Sequence, residues 1–536
     1  MKTIHHLLQR YGLASAIFFI SLLIWGFPHL EINYAGISLK EIGLSSDECF
    51  SVYHAQFPIG SIWKELSTGN NPPLFETVLH GWIYTLGDSS SSVHALSLIL
   101  SALAITLIFQ WIKTELESIG LATVTAGIAW SSNYFALIAL EARAYTLLLL
   151  LGVISHILFF RAIKNTYKSI FNPLSWILWG LITAIMAYSH FFGLWIFAAQ
   201  WIFLFWTLGV TRKSLKPLLY GFLGFLFLYA PYLPTLILRF INTSQSGTWV
   251  EPAPWSAPYL TLWKYFNNPT ATILIGCTFC WGTFQLFSKK SENGLSESSS
   301  ALANLNFQNN NKTLLGKYLF VSSIFPLVSI WLLSVPSPWC TPMFTERYTS
   351  FILPALIAFT AWSIAQIPHP NFISNRNWIL TISLVLFAAL LINRNPHQSR
   401  QAPAKSVVET LIFERTDNPA PVILEPYHAA FQVLYYENIT AFRNFQTSNI
   451  YKHLQNQLAG DSIYILYSKN SFDSLQLSHR KTLYYTQLNP AKSKHTLEIE
   501  TVINKNFKYS SILADSTSVY KNILWKFSHQ PLSHSN

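Results

Sequence analysis

Ser45-Ser46-Asp47-Glu48-Cys49-Phe50 and, further on, Gly69-Asn70-Asn71-Pro72-Pro73-Leu74-Phe75 lie between the first hydrophobic run and all the others. Adjacent carboxylates, a polar loop and a paired-proline stop stand here in a chain that is otherwise mostly apolar. Such acids belong where a membrane meets water, because a charge at the centre of a membrane helix costs about 2.5 to 3.5 kcal/mol. The prolines block continuation of what precedes them and start the next helix, which fixes the return of the loop.

The surrounding composition agrees with that placement. Of 536 residues, 51% are hydrophobic, 15% aromatic and 11% charged, too apolar for a soluble protein of this length. The net charge of +11 comes from Lys and Arg gathered at the ends of apolar runs. That pattern orients helices in membrane lipid and excludes nucleic acid as the expected partner. A bilayer core of about 30 Å needs roughly 17 to 25 apolar residues per helix. About eleven runs qualify: 12–30, 93–111, 119–139, 144–162, 174–190, 191–210, 217–238, 271–287, 318–335, 348–367 and 378–392. Run 12–30 follows Lys2 and Arg10 with no small-residue cleavage site and reads as a retained signal anchor. Cys277 and Cys280, inside run 271–287, read as ordinary buried thiols.

Basic residues mark alternate connections as cytoplasmic: Lys2 and Arg10, then Arg161, Lys164 and Lys168, then Arg212, Lys213 and Lys216, then Lys289, Lys290, Lys312 and Lys317. The stretch 73–86 is too short to span and is expected to lie along the outer interface. With that parity the Asp47 loop, Glu141 with Arg143, His190, the loop 239–268 and Glu346 with Arg347 converge on the outer side. Residues 291–316 read as a low-complexity cytoplasmic linker, disordered from Ser291 to Asn311, with the runs Ser298-Ser299-Ser300 and Asn309-Asn310-Asn311. From residue 395 onward the apolar runs become short and strand-like, at 421–424 and 462–467, between polar helical stretches such as 406–415. The expected architecture is an α-helical polytopic membrane domain over 1–394, whose outer loop 31–92 carries interfacial helices. A small extracytoplasmic α/β domain follows over 395–536.

The converging residues suit glycosyl transfer from a lipid-phosphate sugar. Breaking that bond leaves an oxocarbenium-like centre, the departing phosphate carries its own charge, and the acceptor hydroxyl must lose a proton. One base and some positive charge suffice. Asp47 suits the base, being ionised at neutral pH by its reference pKa of about 3.9, with Glu48 assisting. Charge compensation comes from Arg143 or Arg347, or from a divalent metal ion for which Asp47, Glu48 and His190 are the candidate ligands. His190 is otherwise a satisfied interior histidine. Asn70 or Asn71 is placed to bond sugar hydroxyls or the carboxylate. Trp249, Trp255, Tyr259, Trp263 and Tyr265 either stack on a sugar or prenyl chain or form an interfacial belt. The alternative is a transporter or flippase of lipid-linked sugars, which calls for inverted repeats and midplane charges.

Five motifs in order resemble those of the GT-C membrane glycosyltransferases. The likeness is to the bacterial family 39 group related to protein O-mannosyltransferases, aminoarabinose transferases and rhizobial lipopolysaccharide core transferases, and it covers roughly residues 1–393. Ser46-Asp47-Glu48-Cys49-Phe50-Ser51 is similar to the family's first-loop Asp-Glu signature, and Asn71-Pro72-Pro73-Leu74-Phe75 to its His-Pro-Pro-Leu-Tyr. Leu140-Glu141-Ala142-Arg143-Ala144-Tyr145 resembles Gln-Glu-Ala-Arg-Met-Tyr, and Tyr188-Ser189-His190-Phe191-Phe192-Gly193 resembles Tyr-Thr-His-Tyr-Phe-Gly. Arg347-Tyr348 followed by Pro354 resembles the later Arg-Tyr-x5-Pro element. The resemblance implies a multi-pass enzyme of the bacterial cytoplasmic membrane that uses a polyprenyl-phosphate sugar, inverts at the anomeric carbon and takes Asp47 as base. Its acceptor would be lipid-linked, glycan or protein. It also carries Tyr145 and Tyr348 into the substrate site, beside Asn70, Asn71, Glu141, Arg143, His190 and Arg347. Asn71 departs from the pattern, standing where the family commonly has His.

Overall fold

A computed structural model describes residues 2–26, 43–68, 71–168, 170–246, 248, 250–266, 269–288, 300–336, 341–368, 375–391, 405–417, 419–425, 427–446, 449–465, 480–487, 499–501, 503–505, 507–515 and 523–529. The chain forms two compact units. One, the membrane unit, comprises residues 1–34, 66–75 and 97–395. The other, the sheet-bearing unit, takes residues 35–65 and 76–96 of the first loop together with 396–536.

Each of the eleven hydrophobic runs carries a helix. Among the described residues five helices are long and apolar enough to cross a membrane: Ser90–Leu116, Tyr145–Tyr167, Ser214–Gln245, Pro269–Ser288 and Asn311–Leu332. Shorter apolar helices are Gly12–Trp25, Pro173–Ser189, Gly193–Leu208 and Asn377–Leu390. Run 119–139 is not one straight span. It breaks into Ile119–Ser131 and Asn133–Ala139, bent by 74°. Ser132 causes the break, since its backbone is extended, with φ −72° and ψ 120°, and its hydroxyl caps the second helix at the Phe135 N–H. Run 348–367 likewise starts with a short turn at Glu346–Thr349 and a 3-10 turn at Ser350–Ile352, and Pro354 restarts it as Leu353–Ile364.

Two expectations need correction. A helix begins at Ser300 and runs to Leu332, so the end of the stretch read as disordered linker is helical. Its Ala301-Leu302-Ala303 start is good helix-forming sequence. Cys277 and Cys280 are exposed on their helix rather than buried, because the outward face of a membrane helix meets lipid and can be as apolar as the inside. Cys340 lies outside the described residues.

Small residues let two membrane helices touch. A Cβ on Gly180 would stand 2.0 Å from the Gly221 carbonyl oxygen, and one on Gly224 would stand 2.4 Å from the Ile177 carbonyl oxygen. Helices Pro173–Ser189 and Arg212–Tyr229 therefore meet backbone to backbone. One polar cluster inside the membrane unit is matched across helices. The Gln200 carbonyl oxygen accepts from Trp179 Nε1 at 2.7 Å, its amide donates to Tyr318 Oη at 3.1 Å, and His156 Nδ1 meets the same hydroxyl at 2.6 Å.

The sheet-bearing unit has the α/β character that the C-terminal sequence suggests. Strands β1 (Val422–Glu425), β2 (Ile463–Ile465), β3 (Thr482–Gln487), β4 (Phe507–Asp515) and β5 (Ile523–His529) order as β2-β1-β3-β5-β4. β1 pairs parallel with β2 and β3, and β5 runs antiparallel to β3 and β4. All four residues of β1 are buried, as expected of a parallel strand covered on both faces. One core layer joins Ile423, Leu483, Tyr485 and Phe527 to Ile499 and Ile503.

The same unit holds the first-loop helix Ser46–Ala55. Tyr53 packs edge-on against Phe431 and Phe442 at 5.2 and 5.4 Å, and its hydroxyl accepts the Gln446 N–H. The Gln432 amide donates to the Leu44 carbonyl at 2.7 Å, and the Leu44 N–H donates to the Tyr436 hydroxyl. Asp88 takes a two-pronged bond from Arg443, at 2.9 and 2.7 Å, which holds its carboxyl below the usual carboxylate range.

Candidate active site

In the sheet-bearing unit the carboxylate pair begins a helix. Ser45 caps Ser46–Ala55 with a complete capping box: its hydroxyl accepts the Glu48 N–H, and Glu48 Oε2 accepts the Ser45 N–H at 2.7 Å. Asp47 and Glu48 thus lie in the first turn, where the unpaired N–H groups and the helix dipole favour negative charge. Their surroundings differ. Glu48 is 2% exposed, and its second oxygen meets His94 Nε2 at 2.8 Å. Asp47 is half-buried and acts electrostatically on His428. Burial holds the His428 imidazole below its ordinary pKa, with the Asp47 charge opposing. Ser46 Oγ donates to the His428 carbonyl, 382 positions away.

In the membrane unit a second cluster forms at the turn after helix Asn133–Ala139. The Arg143 N–H folds back onto the Glu141 carbonyl at 2.8 Å. The Glu141 side chain, 8% exposed with its residue, lies 3.8 Å from Arg347 Nη1. Arg143 Nη2 reaches Asn71 Oδ1 at 3.5 Å. His190, just past helix Pro173–Ser189, packs its ring against Tyr145 at 5.7 Å and Tyr348 at 5.5 Å. Its Nδ1 accepts the Phe192 N–H, so the neutral ring carries its proton on Nε2 and can donate there. Thr345 caps the turn that presents Arg347 and Tyr348, and Lys264 neutralises Glu346 at 2.6 Å.

The membrane unit therefore gathers Asn71, Glu141, Arg143, Tyr145, His190, Arg347 and Tyr348, while Asp47 and Glu48 belong to the sheet-bearing unit. Asn70 and Trp249 lie outside the described residues. Of the aromatic loop, Tyr265 is fully buried, its hydroxyl donating to the Glu346 carbonyl, whereas Trp255, Tyr259 and Trp263 are exposed. Sequence reasoning did not reach His94, His428 or Glu76, whose Oε1 accepts from Ser51 at 2.8 Å. His94 opens a long apolar helix, and that position was its one available signal. Both Glu48 oxygens and the His190 Nδ1 are engaged, and among the described residues no three His, Cys, Asp or Glu side chains converge.

No protein-family model and no curated protein sequence matches the chain. Solved structures do match. ArnT from Cupriavidus metallidurans, bound to undecaprenyl phosphate, aligns over 96% of this chain and 98% of its own, with a TM-score of 0.53 at 8% identity. The apo form of the same protein gives 0.54 over 97% and 98%. The fold is GT-C. The GT-C likeness extends to the apo oligosaccharyltransferase of Archaeoglobus fulgidus, at a TM-score of 0.51 and 9% identity over 88% of this chain and 69% of that one. With that fold and its apolar helices, the chain is a multi-pass membrane protein.

Proposed function

We propose that this protein transfers a monosaccharide from a polyprenyl-phosphate donor to a lipid-linked, glycan or protein acceptor. Transfer inverts the anomeric carbon and takes place at the outer face of the bacterial cytoplasmic membrane. The observation that carries the reading is the half-buried Asp47 carboxylate on the first turn of a fully capped helix, in a chain of GT-C fold. The bound undecaprenyl phosphate of ArnT supports the donor class.

In this mechanism Asp47 accepts the proton of the acceptor hydroxyl while that oxygen bonds to the anomeric carbon. The bond from that carbon to the phosphate oxygen breaks, and its electron pair leaves on the polyprenyl phosphate. Arg143 and Arg347 offset the charge on the leaving phosphate. Glu141 orients Arg347, and Asn71 holds Arg143. Tyr145 and Tyr348 flank His190, whose Nε2–H donates to a substrate oxygen. Asn70 bonds the sugar. Glu48, with both oxygens occupied, anchors the helix that carries the base. No step runs through a metal.

The test is mass spectrometry of membrane glycolipids, surface glycans and exported proteins from cells with the intact gene, a deletion, and the deletion complemented by Asp47→Asn. The expected outcome is a monosaccharide that disappears on deletion and is not restored by Asp47→Asn at normal membrane levels. Restoration by that variant would remove Asp47 as the base.

A further inference from the structure

A cavity of about 300 Å³ opens on one face of the sheet, within the C-terminal part of the sheet-bearing unit. Its floor is aromatic. Antiparallel register sets Tyr485 of β3 opposite Trp525 of β5, and Phe527, two positions on, opposite Tyr509 of β4. Residues directly opposite share a face, as do residues two apart, so the four rings stand on one side of the sheet. Tyr485 and Trp525 stack at 5.2 Å with 16° between their planes, and Tyr509 meets Phe527 edge-on at 6.1 Å.

Helical residues 499–501 and 503–505 supply the opposite wall. Ile499 and Ile503, one turn apart, enter the core with Tyr485 and Phe527, while Glu500 and Asn504, each one position further, are offset from them around the helix and edge the cavity. Tyr509 stays 51% exposed. The carboxylate is held in place: the Gln487 amide donates to Glu500 Oε1 at 2.9 Å and to the Tyr485 hydroxyl at 2.6 Å, and that hydroxyl donates in turn to the buried Glu425. The second Glu500 oxygen has no hydrogen-bond partner among the described residues.

The lining therefore has an aromatic side and an edge of one carboxylate and one amide. A wholly apolar ligand would leave that edge unmatched, and a phosphate or acidic sugar would meet Glu500, the one charge in the described lining and of its own sign. A pyranose suits both sides, since its C–H face lies against aromatic rings and its hydroxyls bond to the carboxylate and the amide. The volume is at the low end of the roughly 300 to 1,000 Å³ of small-molecule sites, which suits a single ring.

We infer that this cavity binds one uncharged pyranose residue of a glycan, which stacks on Trp525 and Tyr509 and bonds through its hydroxyls to Glu500 and Asn504. The sugar site stands independently of the transfer reading; the identification of that glycan as the acceptor rests on it.

The full-length protein is purified in a sugar-free detergent, because a maltoside headgroup would compete. It is titrated with the methyl glycosides of glucose, galactose and mannose, with N-acetylglucosamine, and with glucuronic acid and glucose 6-phosphate, binding being read by saturation-transfer NMR. At least one neutral pyranoside should bind saturably, with the strongest transfer at its ring C–H protons, and the two acidic sugars should not. Trp525→Ala should abolish binding, and Glu500→Gln should weaken it about tenfold, as expected when a charge-assisted bond is lost. Asn504 and Tyr509 are exposed, so Asn504→Ala and Tyr509→Ala keep the fold, should each weaken binding a few-fold, and decide the matter if Trp525→Ala fails to fold. Asp47→Asn should bind normally. Binding through Trp525 in a protein whose deletion changes no cellular sugar would overturn the transfer reading alone. Absence of saturable binding by every neutral pyranoside, equal binding of an acidic sugar, or unchanged affinity in folded Asn504→Ala and Tyr509→Ala proteins would overturn the inference.

Discussion

Asp47 and Glu48 share a functional group and adjoin in sequence, yet the helix turns them about 100° apart and gives them different partners. Glu48 faces Ser45 and His94 in the interior, while Asp47 stays half-buried. Glu48→Ala should cost about 2 kcal/mol, because it strands the Ser45 N–H and the His94 ring. Glu48→Gln, which keeps an acceptor in place, should retain most of the stability and much of the transfer activity. Thermal unfolding and transfer assays on both variants check this; an inactive but fully stable Glu48→Gln would assign Glu48 to the chemistry. The acidic pair was legible in sequence because adjacent carboxylates stand out in an apolar chain. The division of labour between them was not, since it depends on His94, which the fold brings back from 46 positions away.

Hydropathy located the helices because burial in lipid and burial in protein demand the same side chains. It passed over the 74° break at Ser132, where one extended serine ends a helix and caps the next. A hydrophobicity average smooths such a residue away. The packing of helices Pro173–Ser189 and Arg212–Tyr229 was equally hidden, because a glycine's use depends on what lies opposite it. Gly180→Ala would drive a methyl group into the Gly221 carbonyl and should cost about 3 kcal/mol. Gly276→Ala, with nothing within 4 Å of the added carbon, should leave stability unchanged or slightly raised. Paired melting curves in detergent make the comparison, and equal melting temperatures would show that the close contact yields at little cost.

At the scale of the whole chain, two of the five strands, β1 and β2, could be read from short apolar runs between polar helical stretches, whereas β3, β4 and β5 were not. The association of the C-terminal region with the first loop could not be read either, because Tyr53, Phe431 and Phe442 carry no mark of one another in sequence. Deleting residues 396–536 should therefore unfold residues 46–55 and abolish transfer while leaving the membrane helices inserted. Hydrogen exchange of the 46–55 amides in the truncated protein is the measurement, and persistent protection would show that the loop folds unaided. The bonds from Tyr436 and Gln432 to Leu44 carry a temporal consequence. Their partners stand some 390 positions later in the chain, so at a ribosomal rate of about 5 to 20 residues per second the loop waits roughly 20 to 80 s for them. During that interval the Asp47 segment lacks those partners, and on the transfer reading the nascent chain is expected to stay inert until residues 396–536 have been made.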